Sequence, residues 1–325
     1  MKRTVILIFF FLVILCSCRS PEGDIYTMGI FQFNDAPTLN EVRRGFLQAL
    51  QDESLIDGEN VHLIVENAGG DLIQAQKVVQ EFLEEGVDMI VPFSTPCLQA
   101  AMIASRDIPI VFSSIANPYI VGAGNSAEDH HPHVTGVTSR GPIFETLSFI
   151  KHVFPEAKRL GTLWTPSEIN SEYYLSLAKE GAKELGMEII SVAISNRREI
   201  FMAAQVLINR KIDAIYQISD NTINNSFEVI GRTAEENGIP LIGGALYSTR
   251  QGACAAMGWD FFEMGYRSGL IAVRIKNGTT PADIPIQSMS NVRLYLNQDA
   301  AKKQGVVFPD DILKKADEVI GGKAF

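Results

Sequence analysis

Cations, cysteine and long apolar runs are all scarce in this chain. Over 325 residues there are 28 Lys and Arg against 38 Asp and Glu, which gives a net charge of −10. Nucleic-acid binding needs clustered cations that neutralise phosphates, so this balance argues against such a partner. Hydrophobic residues still make up 46% of the chain, which is enough for two domains with cores of their own.

The chain has one conspicuous apolar run, Val5 to Leu15, which follows two cations near the N-terminus. It is too short to span a bilayer and is typical of the apolar region of a secretory signal. The following segment, Leu15-Cys16-Ser17-Cys18, resembles a bacterial lipobox. We therefore predict a lipoprotein signal over residues 1–18 with lipidation at Cys18; a plain signal peptide cut nearby is the alternative.

Motifs of common enzymes are missing from the sequence, which contains no G-x-S-x-G, P-loop or H-E-x-x-H. Cys97 and Cys254 lie far apart and indicate no disulfide framework, and no His follows a strand in a position related to Cys97. The group of His130, His131 and His133 could chelate zinc or nickel, but such spacing in a loop is more typical of a solvated surface. The sequence predicts a non-enzymatic protein without cofactor or metal.

Short apolar runs alternate with helical patterns, which predicts βαβ units with parallel strands. The same order of predicted strands and helices occurs twice. The clearest internal match pairs residues 87–96 (VDMIVPFSTP) with residues 212–221 (IDAIYQISDN). Two homologous doubly wound halves are the expected result.

Polar residues follow the matched strands, at the sheet edge where ligands of open α/β folds bind. Asp220 in the second half stands where the first half has the neutral Thr95. A buried carboxylate needs a cation or several donors, so Asp220 suits a ligand ammonium; capping of the following helix is the alternative. Thr95 and the pair Asn170 and Ser171 open helices, whose N-termini suit a carboxylate.

Aromatic residues lie at the carboxyl ends of two predicted strands. Phe33 ends the first strand, and Trp164 ends its counterpart in the second half. Both are candidates for a cleft wall that would stack on a flat apolar ligand side chain. A place in the hydrophobic core is the alternative for either residue.

Several stretches carry a likeness that extends over nearly the whole chain after residue 25. They are Gly29-Ile30-Phe31-Gln32-Phe33, Gly58-Glu59-Asn60-Val61, Asn67-Ala68-Gly69-Gly70-Asp71, Ile108-Pro109-Ile110-Val111-Phe112-Ser113, Val134-Thr135-Gly136-Val137, Asp213-Ala214-Ile215-Tyr216, Asp220-Asn221-Thr222 and Ala282-Asp283-Ile284-Pro285. In this order they resemble the substrate-binding lipoproteins of bacterial ABC importers, in the family whose better-known members take tryptophan or tyrosine.

The resemblance implies a type I periplasmic-binding-protein fold, α/β with two Rossmann-like lobes, parallel sheets and a hinge of three crossings. The expected first lobe comprises residues 24–138 and 256–284, and the second comprises residues 139–255 and 285–325. Two stretches depart from the family pattern. Asn34-Asp35-Ala36-Pro37 replaces a segment with an acid and a histidine before the proline, and the His-rich loop replaces a plain turn.

By position, the resemblance implies ligand contacts from both lobes. With the residues proposed above, the predicted site comprises Phe33, Asn34, Thr95, Ser113, Asn117, Trp164, Asn170, Ser171, Asp220 and Asn221. The predicted protein is a monomeric, lipid-anchored receptor in the cell envelope that captures a small zwitterion, an aromatic amino acid, for an ABC permease and ATPase. A sensor or scaffold of the same fold, a sugar receptor and a metal-dependent envelope enzyme are the alternatives.

Overall fold

The structure is a computed structural model and describes residues 25–322. The predicted signal segment and Cys18 lie outside the described residues. The strands are β1 Tyr26–Gln32, β2 Val61–Asn67, β3 Met89–Phe93, β4 Ile110–Ile115, β5 Val134–Thr138, β6 Arg159–Trp164, β7 Glu188–Ala193, β8 Ala214–Gln217, β9 Leu241–Gly243, β10 Ala255–Gly258, β11 Gln287–Ser288, β12 Arg293–Asn297 and β13 Glu318–Ile320. The α-helices are α1 Pro37–Asp52, α2 Leu72–Glu85, α3 Thr95–Ala104, α4 Ile143–Val153, α5 Ile169–Glu184, α6 Ile200–Asn209, α7 Asn221–Asn224, α8 Phe227–Asn237, α9 Phe261–Lys276, α10 Gln298–Lys303 and α11 Asp310–Lys315.

Local sequence signals set many of these boundaries. Asp71 caps α2, since its carboxylate accepts hydrogen bonds from the backbone N–H groups of Ile73 and Gln74. Gly86 ends the same helix in the left-handed conformation that glycine adopts without strain. Helix α1 begins at Pro37 without a side-chain cap, and the proline stands in the first turn, where its missing N–H group costs no helical hydrogen bond.

Two sheets form the cores of two lobes. The first sheet has the order β11-β5-β4-β3-β1-β2, and the second has β13-β12-β10-β9-β8-β6-β7. The predicted repeat is confirmed, since β2-β1-β3-β4-β5 and β7-β6-β8-β9-β10 share one order with parallel pairing throughout. The predicted fold class, α/β with two mostly parallel sheets, is therefore correct.

The chain passes between the sheets three times, at residues 139–142, 259–260 and 289–292. Two of the predicted lobe limits need correction in this respect. Strand β10 belongs to the second sheet although residues 256–258 were expected in the first lobe. Strand β11 pairs with β5 of the first sheet although residue 285 was expected to begin the second lobe. Both strands are short and end directly before a crossing.

The first lobe is closed by close packing of α9, which follows the second crossing, on α1. A Cβ atom at Gly45 would lie 2.0 Å from the carbonyl oxygen of Phe262, and one at Gly265 would lie 1.9 Å from that of Val42. These distances leave room for glycine alone. The returning helix is thereby held closely against α1.

Candidate functional site: an inter-lobe cleft

The carboxyl ends of β1, β3 and β4 in the first lobe face those of β6 and β8 in the second. In this structure the lobes touch. The Nδ2 atom of Asn34 donates a hydrogen bond of 2.9 Å to the carbonyl oxygen of Asn221, and helices α3 and α5 are in contact. Ala116 of the first lobe packs in the core cluster of the second. The cleft is therefore closed.

Asp220 is fully buried at the end of β8, in the second-lobe wall. Its Oδ1 accepts from the backbone N–H of Ile223 (2.9 Å), so it caps α7, and its Oδ2 accepts from that of Thr165 (3.0 Å). Burial and the neighbouring charge of Glu168 raise the pKa of Asp220 to about 7. The capping alternative is thus realised, and a role in ammonium binding stays a prediction.

Glu168 is a wall residue that sequence reasoning missed. Its side chain is almost fully buried, yet it accepts hydrogen bonds of 2.7 to 3.1 Å from the backbone and side chains of Asn221 and Thr222 and from Asn170. The carboxylate therefore ties the start of α5 to the first turn of α7. Its position directly before a helical pattern was the available signal, but its partners Asn221 and Thr222 lie 53 and 54 residues away.

Three polar atoms of the cleft walls are buried without a hydrogen-bond partner among residues 25–322. They are the Oγ of Ser94, the Oγ1 of Thr165 and the Oδ1 of Asn170. Ser94 also has a φ of 100°, a strained value for a residue with a side chain. Because an unpaired buried polar group costs about 1–3 kcal/mol, such a cluster is typical of a ligand site.

A helix begins in each of the two cleft walls, and these two helices, α3 and α5, are in contact. Helix α3 begins at Thr95, whose Oγ1 accepts from the N–H of Ala116 (3.2 Å). Helix α5 begins beside Ser171, whose Oγ accepts from the N–H of Thr165 (3.0 Å). The positive ends of both helix dipoles thus lie in the cleft walls, which favours a negatively charged group of a ligand there.

The remaining predicted residues have separate surroundings. Phe33 belongs to the first-lobe core, and the Oγ of Ser113 donates to the carbonyl of Met264 (3.4 Å). Asn117 turns the chain by accepting from the N–H of Tyr119 (3.0 Å). Trp164 is half-buried against the second-lobe core. Ligand contact by these four residues stays a prediction.

The cleft has cavities at both of its ends. A cavity of about 530 Å³ opens at the mouth, away from the crossings, and its lining residues are Asn34, Asp35, Gly69, Gly70, Ser195, Asn196, Arg197, Arg198, Thr222 and Asn225. At the hinge end a cavity of about 10 Å³, room for about one water, adjoins the fully buried hydroxyl of Tyr216, which has no hydrogen-bond partner among the described residues.

The cysteines and the histidine group are the residues considered for enzymatic or metal chemistry. Burial raises the pKa of both thiols, Cys97 and Cys254, to about 12, which keeps them protonated. The rings of His131 and His133 are 5.9 Å apart in the loop before β5. Within the part of the chain that the structure describes, no cluster of three or more His, Cys, Asp or Glu side chains could hold a metal ion. No helix in that part is long and apolar enough to cross a membrane.

Comparison with known proteins gives the same picture as the geometry. The family model of ABC transporter substrate binding proteins matches residues 27–320. A tyrosine-binding protein of Clostridioides difficile is 32% identical over 275 residues, which cover 85% of this chain and 79% of that protein.

Two solved structures of similar proteins superpose on this chain to different extents. An ABC domain in complex with L-Trp from Streptococcus pneumonia, 26% identical, covers 90% of this chain and all of its own, with a TM-score of 0.84. The ligand-free, open structure of a substrate binding protein with adhesive properties from Clostridium difficile is 29% identical, covers 92% of this chain and all of its own, but has a TM-score of 0.69. The better superposition on the less identical, ligand-bound structure agrees with the closed cleft.

Proposed function

This chain belongs to the family of ABC transporter substrate-binding proteins, a family that binds solutes and is not enzymatic, and it has the fold of type I periplasmic binding proteins. We propose that it is the lipid-anchored receptor of an ABC importer in the cell envelope, and that it captures an aromatic amino acid between its lobes. The 32% identity to a tyrosine-binding protein and the likeness to an L-Trp complex support this ligand class.

The observation that carries the proposal is the set of unpartnered polar atoms in the cleft walls, where two helices begin. The hydroxyls of Ser94 and Thr165 can donate to a carboxylate, and the N-termini of α3 and α5 add favourable electrostatics of about 0.3–1 kcal/mol each. The Oδ1 of Asn170 and the carboxylate of Asp220 can accept from an ammonium. A zwitterion presents both groups one carbon apart, which no sugar does.

The closed structure supports capture by a hinge. A ligand that contacts both walls shifts the equilibrium between open and closed lobes only by its preference for the closed state. The mouth cavity of about 530 Å³ lies within the range of small-molecule pockets, about 300–1,000 Å³. Access from this side, away from the three crossings, would let the ligand enter without unfolding the hinge.

A thermal-shift screen of the purified protein with the twenty amino acids and common sugars tests the ligand class. At one hundred times its dissociation constant, a true ligand adds about 2.7 kcal/mol to the free energy of unfolding. We expect tyrosine, tryptophan or both to raise the melting temperature, and D-enantiomers of the same residues serve as matched controls. Stabilisation by sugars alone would refute the amino-acid proposal and favour the sugar receptor.

A further inference from the structure

Helix α6 of the second lobe turns an apolar face to the outside. Phe201 is 49% exposed, Met202 is 64% exposed and Val206 is 39% exposed, while Ala203, Ala204 and Leu207 on the opposite face are buried. The ten residues of the helix contain no charged side chain. An exposed contiguous apolar face of this kind marks an interaction site more often than a free surface.

Cations stand at both ends of this face. Arg197 and Arg198 precede α6, and Arg210 and Lys211 follow it; all four are exposed. The nearby acid Glu199 is engaged locally, since its carboxylate accepts from the N–H of Ser195 (2.8 Å) and the Nδ2 of Asn196 (2.9 Å). The local charge is therefore opposite to the net charge of −10 of the whole chain.

The equivalent helix of the first lobe lacks such an apolar face. Helix α2 is the counterpart of α6, and its sequence, LIQAQKVVQEFLEE, carries Gln, Lys and Glu on the outer face. Only Ile73, at its first turn, is a large exposed apolar residue, with 66% exposure. The shared fold therefore does not require the apolar face of α6.

The two helices start at opposite rims of the cleft mouth. Arg197 and Arg198 line the mouth cavity on the second-lobe side, and Gly69 and Gly70, directly before α2, line it on the first-lobe side. Ile73 and the α6 face therefore flank the same opening. Closure of the lobes sets the distance between these two rims, so a partner that contacts both can distinguish the closed state from the open one.

We propose that the α6 face, comprising Arg197, Arg198, Phe201, Met202, Val206, Arg210 and Lys211, docks on a protein surface with an apolar centre and an acidic rim. Resting on the proposed function, the partner is the membrane-embedded permease of the importer. Charge complementarity requires an acidic partner, and aromatic, Met and Arg side chains are the types enriched in protein interfaces. An anionic bilayer would attract the same cations, so the test below includes vesicles to separate a membrane from a protein partner.

The test compares Met202→Glu and Arg210→Glu with two controls of the same chemistry, Val307→Glu, at a residue that is 89% exposed, and Lys314→Glu. Purified variants are titrated calorimetrically with tyrosine and tryptophan, and uptake of the radiolabelled amino acid is measured in cells of the source organism that lack their own copy. We expect at least tenfold lower uptake for the two α6 variants, with dissociation constants within twofold of the wild type and with both controls unaffected.

Three other results are informative. Wild-type uptake by both α6 variants overturns the docking proposal. Flotation of the wild-type protein without its anchor on phosphatidylglycerol vesicles, lost in Met202→Glu, would assign the face to a membrane and overturn it as well. A wild-type protein that binds and imports no amino acid would refute the proposed function first, and the permease as partner with it.

Discussion

The ionisation of Asp220 gives the sharpest test of the cleft. Its carboxylate is fully buried, and burial together with the charge of Glu168 raises its pKa from 3.8 to about 7. A ligand ammonium beside it would favour the ionised form and lower that pKa. Below pH 7, binding must therefore release a proton from Asp220, and the affinity falls as the pH falls.

The loss of affinity depends on how far the pH lies below the raised pKa of Asp220. One pH unit corresponds to about 1.36 kcal/mol, so between pH 7 and pH 5 the dissociation constant for tyrosine or tryptophan should rise by up to about one hundredfold. The α-amino and α-carboxyl groups of the ligand do not titrate in this window, where the zwitterion persists. The stability of the ligand-free protein changes with pH in the opposite direction. A carboxyl group with a raised pKa binds more protons in the folded than in the unfolded protein, so its contribution to the free energy of unfolding grows as the pH falls from 7 towards 4.

Calorimetric titrations at pH 5, 6, 7 and 8 measure the affinity, with buffers of different ionisation enthalpy to count the released protons. The matched variant is Asp220→Asn, which keeps the size of the side chain. Its free energy of ligand binding should be less favourable by about 2–5 kcal/mol, because the ammonium loses its partner in a buried ionic pair. Its affinity should also not depend on pH in this range. A wild-type affinity that is constant from pH 5 to pH 8, or unchanged binding by a folded Asp220→Asn protein, would refute the ammonium role.

Three further predictions concern closure and packing. Asn34→Ala removes the hydrogen bond to Asn221, so the ligand-free protein should open and its radius of gyration by small-angle X-ray scattering should rise; an unchanged radius would mean that other contacts close the cleft. Gly265→Ala places a methyl group 1.9 Å from the carbonyl oxygen of Val42 and should lower the free energy of unfolding in urea by about 1–3 kcal/mol or more, whereas an unchanged value would show that α9 can move away. Tyr216→Phe removes a buried hydroxyl without a partner among the described residues, so the same urea titration should show equal or higher stability, and a loss above about 1 kcal/mol would show that the hydroxyl is paired by a trapped water.

Much of the fold could be predicted because its signals are local. The alternation of apolar runs and helical patterns predicted parallel βαβ units in each lobe, and the match of residues 87–96 with residues 212–221 placed β3 and β8 at equivalent positions. The strand-end position of Asp220 likewise predicted a buried carboxylate at the cleft edge, since parallel strands end at the same side of a sheet.

The sequence by itself determined the two halves, the polar strand ends and the family, because each of these depends on residue types at short spacing. Only the tertiary structure decided what those residues contact. It made Asp220 a helix cap with a raised pKa, brought Glu168 to a turn more than fifty residues away, and joined Asn34 to Asn221 across the cleft. Burial and long-range hydrogen bonds depend on how two lobes close on each other, and no local pattern along the chain encodes that geometry.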